Sequence, residues 1–345
     1  MSTAMGRSRV RLVDIANEVG VSRAVVGRVL LGSGANIRVG RDKARRIRTV
    51  AKRLNYRPNQ IARQLGGKGS QLLGVLIGEG KSQSRFHRLL AVEAEARRRG
   101  YRIIIGQIAD SVNDVEQYLD EFESHNVEAI LYLDTRVDIS ERLAEYPNAI
   151  ASLRVPGKDI SYAEWDRAAG SRLAVEHLLL RKRKRLGMLS QGASSVISRA
   201  ESEKERGFIE TLAAHGENYG PETIYRLGFD EPQSLDDMVP CLKFLVEKAK
   251  CDAIVVVRDI LAVHAVKALR RMKINVPQDV AVVGFDNLDL CIAVEPELTS
   301  IDHSHEACAK AMLDLVAKMK EEEDFVAGEK SGISIPPTLV VRQST

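Results

Sequence analysis

Beyond residue 72 the sequence alternates short apolar runs with longer amphipathic stretches, and that alternation narrows the possible folds more than any other feature. The runs are LLGVLI, YRIIIG, AILYLD, AIASL, RLGML, AIVVV and VAVVGF, and helical patterns lie between them near 86–99, 113–125, 168–181, 199–215, 234–248 and 260–272. Strands apolar on both faces, each followed by a helix, make parallel sheets covered on both sides. So many strands over about 270 residues exceed what one sheet ordinarily holds. Two doubly wound α/β lobes with a cleft between them are expected, with ligands at the carboxyl ends of the strands.

The first 70 residues have a different texture. They carry 16 Lys+Arg against 3 Asp+Glu, while the remainder carries 35 against 44. A basic module of this kind suits a polyanion, and it is joined to a mildly acidic body. Leu12, Ile15, Ala16 and Val19 share one side of a short helix; Gly20 is placed to end it and Ser22 to cap the next. On a helical wheel started at Arg23, the residues Val25, Val26, Val29 and Leu30 fall between about 200° and 340°. Arg23, Ala24, Gly27 and Arg28 fall between about 0° and 140°. Two arginines separated by small residues form a face suited to DNA, and helix, glycine turn, helix is the helix-turn-helix arrangement. A third helix over 42–54 points Ala44, Ile47, Val50, Ala51 and Leu54 at the same core, with Arg45, Arg46, Arg48, Lys52 and Arg53 on its other side. The segment 60–65, capped by Asn59 and followed by Gly66, Gly67 and Gly69, is too short for a stable isolated helix and reads as a hinge that orders on binding.

Other chemistries find little footing. No run of about 18 apolar residues marks a membrane span, and no apolar signal-peptide core precedes the basic module, so a cytoplasmic protein is expected. The four cysteines, Cys241, Cys251, Cys291 and Cys308, form no CxxC pair and suggest neither a zinc site nor a disulfide framework. GEGKS at 78–82 falls short of a phosphate loop because Val75 stands where the first glycine is needed. His303, His305 and Glu306 in HSHE carry no metal expectation, and no nucleophile elbow or paired nucleophile and base appears. No catalytic residue, metal or cofactor is assigned, and the chain is not expected to be an enzyme.

VRLVDIANEVGVSRAVVGRVL, LNYRPNQIARQLGGKGSQLLGVLI, VPQDVAVVGFDN with PELTSID, and LVVRQST follow one another in the order found in the LacI/GalR family of bacterial transcription regulators, which the chain resembles over nearly its whole length. The resemblance implies a helix-turn-helix domain at 9–58, a hinge helix and linker at 59–71, and periplasmic-binding-protein-like lobes at 72–345. The first lobe would take about 72–165 and 303–325, the second about 166–300 and 326–345. It also implies a homodimer on a near-palindromic operator, with DNA affinity set by a small molecule. The family's base-reading positions fall on Arg23, Ala24, Gly27 and Arg28, preceded by Ser22. Its minor-groove leucine falls on Leu65, with Ala62 as close-packing partner and Asn59 and Arg63 beside it. An apolar wedge there would kink the duplex. Gly27 stands where a serine is usual.

The family's effector-binding positions fall on Phe86, Arg154, Lys204, Arg258, Asp259 and Asp286. Lys204 replaces the usual arginine, and Arg258 a small polar residue. Three cations around one cleft suit an acidic or phosphorylated ligand, whereas Asp259 and Asp286, if they neutralise those cations, leave room for a polar neutral one. A sugar, sugar acid, phosphorylated sugar or nucleobase-like effector fits these positions. The rival from another class is a small-molecule receptor of periplasmic-binding-protein type without specific DNA recognition.

Overall fold

Gly20 sits at φ +72°, and both its N–H and that of Val21 reach back to the Ala16 carbonyl at 3.0 Å. This turn separates α1 (Leu12–Val19) from α2 (Arg23–Leu31). At the other end of α1 the Asp14 carboxylate accepts the Arg11 amide at 2.7 Å, and Ser22 Oγ accepts the Val25 amide at 3.4 Å at the start of α2. With α3 (Arg41–Arg53) these helices enclose Ile15, Ala16, Val19, Val26, Ile47, Val50 and Ala51. The spacing of those residues, three and four apart, is what turns them to one side of each helix. The computed structural model describes residues 10–31, 38–56, 69–79, 83–109, 112–133, 139–154, 158–191, 197–217, 219, 221–228, 234–321 and 331–345. Within it the chain forms two compact units, residues 1–72 with 125–128, and residues 73–124 with 129–345.

In the larger unit, one lobe is built from β1 (Leu72–Gly78), α4 (Gln83–Arg98), β2 (Arg102–Ile108), α5 (Val112–Ser124), β3 (Ala129–Tyr132), α6 (Ser140–Leu143), β4 (Ala149–Ala151) and β5 (Ser161–Trp165). The other begins with α7 (Arg167–Leu180), β6 (Leu186–Gln191), α8 (Ile197–Ala214) and β7 (Ile224–Leu227). It continues through α9 (Val239–Leu242), which runs on as a π-helical turn Lys243–Lys248, then β8 (Ala253–Val256), α10 (Asp259–Arg271), β9 (Ala281–Phe285) and β10 (Thr299–Asp302). The chain returns to the first lobe with α11 (His305–Glu321) and β11 (Gly332–Ile335), and ends on β12 (Thr338–Val340) in the second.

The two sheets run β11-β5-β4-β3-β1-β2 and β12-β10-β9-β8-β6-β7. Leu73 pairs with Ala129 and Leu186 with Ala253, both in parallel register, so each lobe reverses its strand order beside its first strand. That is the doubly wound arrangement, with a crevice at the carboxyl ends of the strands flanking the reversal. Strands β1, β3, β6, β8 and β9 are buried almost throughout, as their uninterrupted apolar runs require.

One boundary differs from expectation. The stretch 326–345, assigned by resemblance to the second lobe, is divided: β11 pairs with β5 in the first sheet, Ile333 opposite Ala163, and only β12 joins the second, antiparallel to β10. Ile335, 7% exposed, packs into the first core, and the two prolines after it carry no N–H, so the ladder stops there and the chain changes sheets.

Candidate functional site

In the small unit the aliphatic side of α2 is turned inward, Val26 completely, while Ser22, Arg23, Ala24 and Arg28 are exposed. Gly27 is a correction to the wheel: it lies in the angular range of the outward face and is buried. With a hydrogen for a side chain it offers only backbone, which in mid-helix lies beneath the side chains one turn away. The outer side of α3 exposes Arg45, Arg46, Arg48, Lys52 and Arg53; Arg53 pairs with Glu18, and Arg45 with Asp42 at 3.5 Å. Asn59, Ala62, Arg63 and Leu65 lie outside the described residues.

The larger unit gathers a second set of polar groups at the carboxyl ends of its strands. Arg258, two residues past β8, donates to Gln191 Oε1 at the end of β6 at 3.2 Å, so the pair spans the reversal point of the second sheet. Asp286 follows β9 directly with φ +106°, and Asn287 has φ +49°. Its carboxylate, 11% exposed, accepts the Ser84 hydroxyl at 3.2 Å and lies 3.8 Å from His303 Nε2. Lys204 on α8, 6% exposed, donates to the Val257 carbonyl at 2.7 Å and sits 4.9 Å above the Phe285 ring. Burial pushes the Asp286 pKa up, against the pull of Lys204, Arg258 and Arg88.

Asp259 stands elsewhere than the resemblance put it. It is completely buried at the start of α10, and its oxygens are committed inward. One accepts the Leu288 amide at 2.9 Å and the Cys291 thiol at 3.0 Å; the other accepts the Ser300 hydroxyl at 2.6 Å. Ser300 Oγ in turn accepts the Asn287 amide at 3.1 Å. These bonds brace the loop in which Asp286 takes its positive φ, a conformation that costs a residue other than glycine about 1–3 kcal/mol. Burial, with the Asp286 charge nearby, raises the Asp259 pKa well above the carboxylate range. Asp259 is therefore a support for Asp286 and does not face the cleft.

Four side chains join this cluster without having been anticipated. Trp165, at the end of β5, stacks on His303 at 4.4 Å, and the Arg88 and Arg167 guanidinium carbons lie 4.3 and 5.2 Å from its ring centre. Arg88 also donates to Ser152 Oγ at 3.2 Å, and Arg167 approaches Glu164 at 3.5 Å and Glu203 at 3.6 Å. His303 and His305 are held neutral: burial, then neighbouring cations, drives the first well below its usual range and the second to about 3. Apolar patterning marks no strand at Ser161–Trp165, although Trp165 is the only tryptophan of the chain. Arg154 is exposed with its guanidinium 5.9 Å from the Tyr162 ring, and Phe86 is 57% exposed. Among the described residues, no group of three or more His, Cys, Asp or Glu is disposed to hold a metal ion, and no helix is long and apolar enough to cross a membrane.

Comparison with known proteins matches two parts of the chain. Residues 11–59 match the family described as "Bacterial regulatory proteins, lacI family", and residues 175–345 a "Periplasmic binding protein-like domain". The HTH-type transcriptional repressor PurR of Pasteurella multocida is 23% identical over 338 residues, covering 96% of this chain and 97% of that protein. The HTH-type transcriptional regulator CelR of Thermobifida fusca is 26% identical over 354 residues, covering 98% and 99%. Among solved structures, the lac repressor dimer bound to operator and the anti-inducer ONPF superimposes with a TM-score of 0.80 at 22% identity, covering 98% of this chain and 99% of that one. A CelR–cellobiose complex superimposes with a TM-score of 0.68 at 22% identity, covering 98% and 100%.

Proposed function

We propose that the chain is a ligand-responsive transcriptional repressor of the lacI family, whose model residues 11–59 match, and that it binds a near-palindromic operator as a homodimer. The observation that carries this reading is the outward face of α2, where Arg23, Ala24 and Arg28 are exposed while Val26 anchors the helix in its core. Set in a major groove, each arginine reaches the O6/N7 edge of a guanine and Ala24 meets a thymine methyl. Ser22 lies at the same helix start, and α3 offers cations to the phosphates. The hinge supplies Leu65 as a minor-groove wedge, with Ala62 packing beside it and Asn59 and Arg63 toward the backbone.

The inter-lobe cleft holds the effector, with Lys204, Arg258 and Asp286 at its centre and Phe86 and Arg154 toward its rim. An effector that binds one arrangement of the lobes more tightly shifts the population able to grip DNA, by as much as its affinities for the two states differ. Support comes from relatives named as repressors and regulators and from neighbours whose structures hold cellobiose or D-xylulofuranose. A protein acting on operators works in the bacterial cytoplasm.

Selection of a random duplex library by the full-length protein tests this, at near-physiological salt, with and without a metabolite extract. Enrichment of a two-fold symmetric site with a kinkable centre is expected. Retention without consensus in both arms favours a small-molecule receptor that lacks specific DNA recognition.

A further inference from the structure

A residue just past a helix often takes a left-handed conformation, and the chain fills that place in two ways. After α1, α4 and α8 it holds Gly20, Gly100 and Gly216, and after α3 and α5 Asn55 and Asn126, the residue types that tolerate it. After α7, the π-helical turn and α10 it holds Lys182, Lys250 and Lys273, with φ of +62°, +58° and +61°. Those three loops lead into β6, β8 and β9, which lie side by side in the second sheet. A strained residue type recurring on neighbouring loops, and at no other positive-φ position among the described residues, points to a use for its charge.

Hydrogen bonds join the loops into one surface. The Asp252 carboxylate accepts the Lys184 and Arg185 amides, each at 2.9 Å, while Arg183 donates to the Pro277 carbonyl and Arg185 to that of Ala249. Residues 181–185, 247–252 and 270–281 carry ten Lys and Arg against three acids, whereas the rest of 71–345 carries 25 against 41. Two further acids reach these loops, Glu222 at 3.8 Å from Arg185 and Asp236 at 3.3 Å from Arg271, and counting both leaves ten against five. Lys182, Lys184, Lys250, Arg270 and Lys273 are exposed and make no ion pair among the described residues.

We infer that this face of the second lobe is a further, sequence-independent contact for duplex DNA, gripping its phosphate backbone apart from the helix-turn-helix; the choice of duplex rests on the operator reading above. Neighbouring strands of a sheet lie about 4.8 Å apart, so the three loops spread their charge over about 10 Å. Along that length a duplex carries about six phosphates. Lysine suits the task, because a flexible ammonium follows a row of phosphates without fixing any base. The loops contain no aromatic residue on which an unpaired base would stack, which favours a duplex over a single strand.

Full-length protein is titrated with a short fluorescent duplex of random sequence across a salt series, alone and as Lys182→Gly/Lys250→Gly/Lys273→Gly. Glycine relieves the strain at all three positions, so the variant keeps its fold, which circular dichroism checks. Its affinity at low salt should fall about tenfold, and its slope of log affinity against log salt by about 2, each phosphate contact being worth about 0.9. The same fall is expected when the three changes are added to Arg23→Ala/Arg28→Ala. Lys310→Ala/Lys318→Ala/Lys320→Ala, which removes as much charge from α11, should leave the slope unchanged. An unaltered affinity and slope in the glycine variant, or an equal fall in the α11 variant, overturns the inference. Vesicles of phosphatidylserine and phosphatidylcholine are tested in parallel: binding that the glycine variant loses, with its DNA binding intact, assigns the face to a membrane and overturns it too. Operator selection is read separately, since a protein that enriches a two-fold site yet shows no slope change keeps the regulator reading and loses this one.

Discussion

The indole of Trp165 and the imidazole of His303 lie almost parallel, 4.4 Å apart with 14° between their planes, although 138 residues separate them in the chain. Each stands where the chain passes between lobes, Trp165 at the end of β5 and His303 just past β10. Phe285 packs against His303 at 5.7 Å, so a strand end of the second lobe is drawn into the same stack. Two of the three passages between lobes are thus fastened to each other beside the candidate effector site.

Because His303 and His305 are neutral when folded, acid pulls toward the unfolded chain, where each takes up a proton near pH 6.5. Their contribution is complete above that pH and is lost below it, at up to about 1.4 kcal/mol per pH unit for each histidine. Asp259 and Asp286 act in the opposite sense: raised in the fold, they keep protons that the unfolded chain releases above its ordinary carboxylate pKa, so their contribution falls as pH rises. Asp259, raised to about 7, offsets up to one proton of the histidine effect between about pH 5 and 6.5, and Asp286 adds in the same direction. Asp259→Asn removes one opposing carboxyl and should uncover an acid-side slope of about 1.4 kcal/mol per unit in denaturant titrations. A slope identical to the parent's contradicts the assignment.

Gly207 sits where α8 crosses α7, and a Cβ there lies 2.4 Å from the Ala168 carbonyl oxygen and 2.6 Å from its Cα. Backbone cannot swing aside as a side chain can. Gly207→Ala is expected to cost about 1–3 kcal/mol and to displace α8, carrying Lys204 with it. Thermal unfolding measures the first effect, and weakened effector binding in the folded variant the second.

Lys182, Lys250 and Lys273 follow the ends of α7, the π-helical turn and α10 with φ of +62°, +58° and +61°. This left-handed conformation, the usual place of glycine after a helix, strains a residue with a Cβ. Replacing each by glycine should stabilise the protein by about 1 kcal/mol, and the sites lie on separate loops, so the effects should add. A triple variant that melts at or below the parent temperature refutes this.

On DNA, Arg23→Ala and Arg28→Ala should each relax preference at one base pair by about 1–3 kcal/mol, whereas Arg46→Ala on α3 should weaken all sequences alike and lower the salt slope by about 1. Leu65→Ala should abolish most specific binding while sparing salt-dependent, non-specific affinity. Filter binding across a salt series with operator and random duplex separates the cases. Equal loss of both affinities in Leu65→Ala speaks against a wedge.

Apolar patterning announced the central strands and most of the helices, because burial on both faces leaves no polar residue in the run. It missed Ser161–Trp165, Ile224–Leu227, Thr299–Asp302, Gly332–Ile335 and Thr338–Val340, strands of five residues or fewer. It also missed α11, whose many buried residues leave no narrow apolar stripe to recognise. Lys204, Arg258 and Asp286 were found through neighbouring motifs. Arg88, Arg167 and Trp165 were not, since only the folded chain brings them together. Nor does spacing tell an outward aspartate such as Asp286 from an inward one such as Asp259; that difference is one of burial and bonding.

The change of sheet between β11 and β12 gives the molecule an order of completion. A ribosome releases the helix-turn-helix residues first, and their apolar core is drawn from residues 10–56 alone. The first lobe, by contrast, waits for α11 and for Gly332–Ile335, so neither lobe is finished until almost the whole chain has emerged. For that interval of synthesis the newborn protein carries its helix-turn-helix ahead of two unfinished α/β lobes.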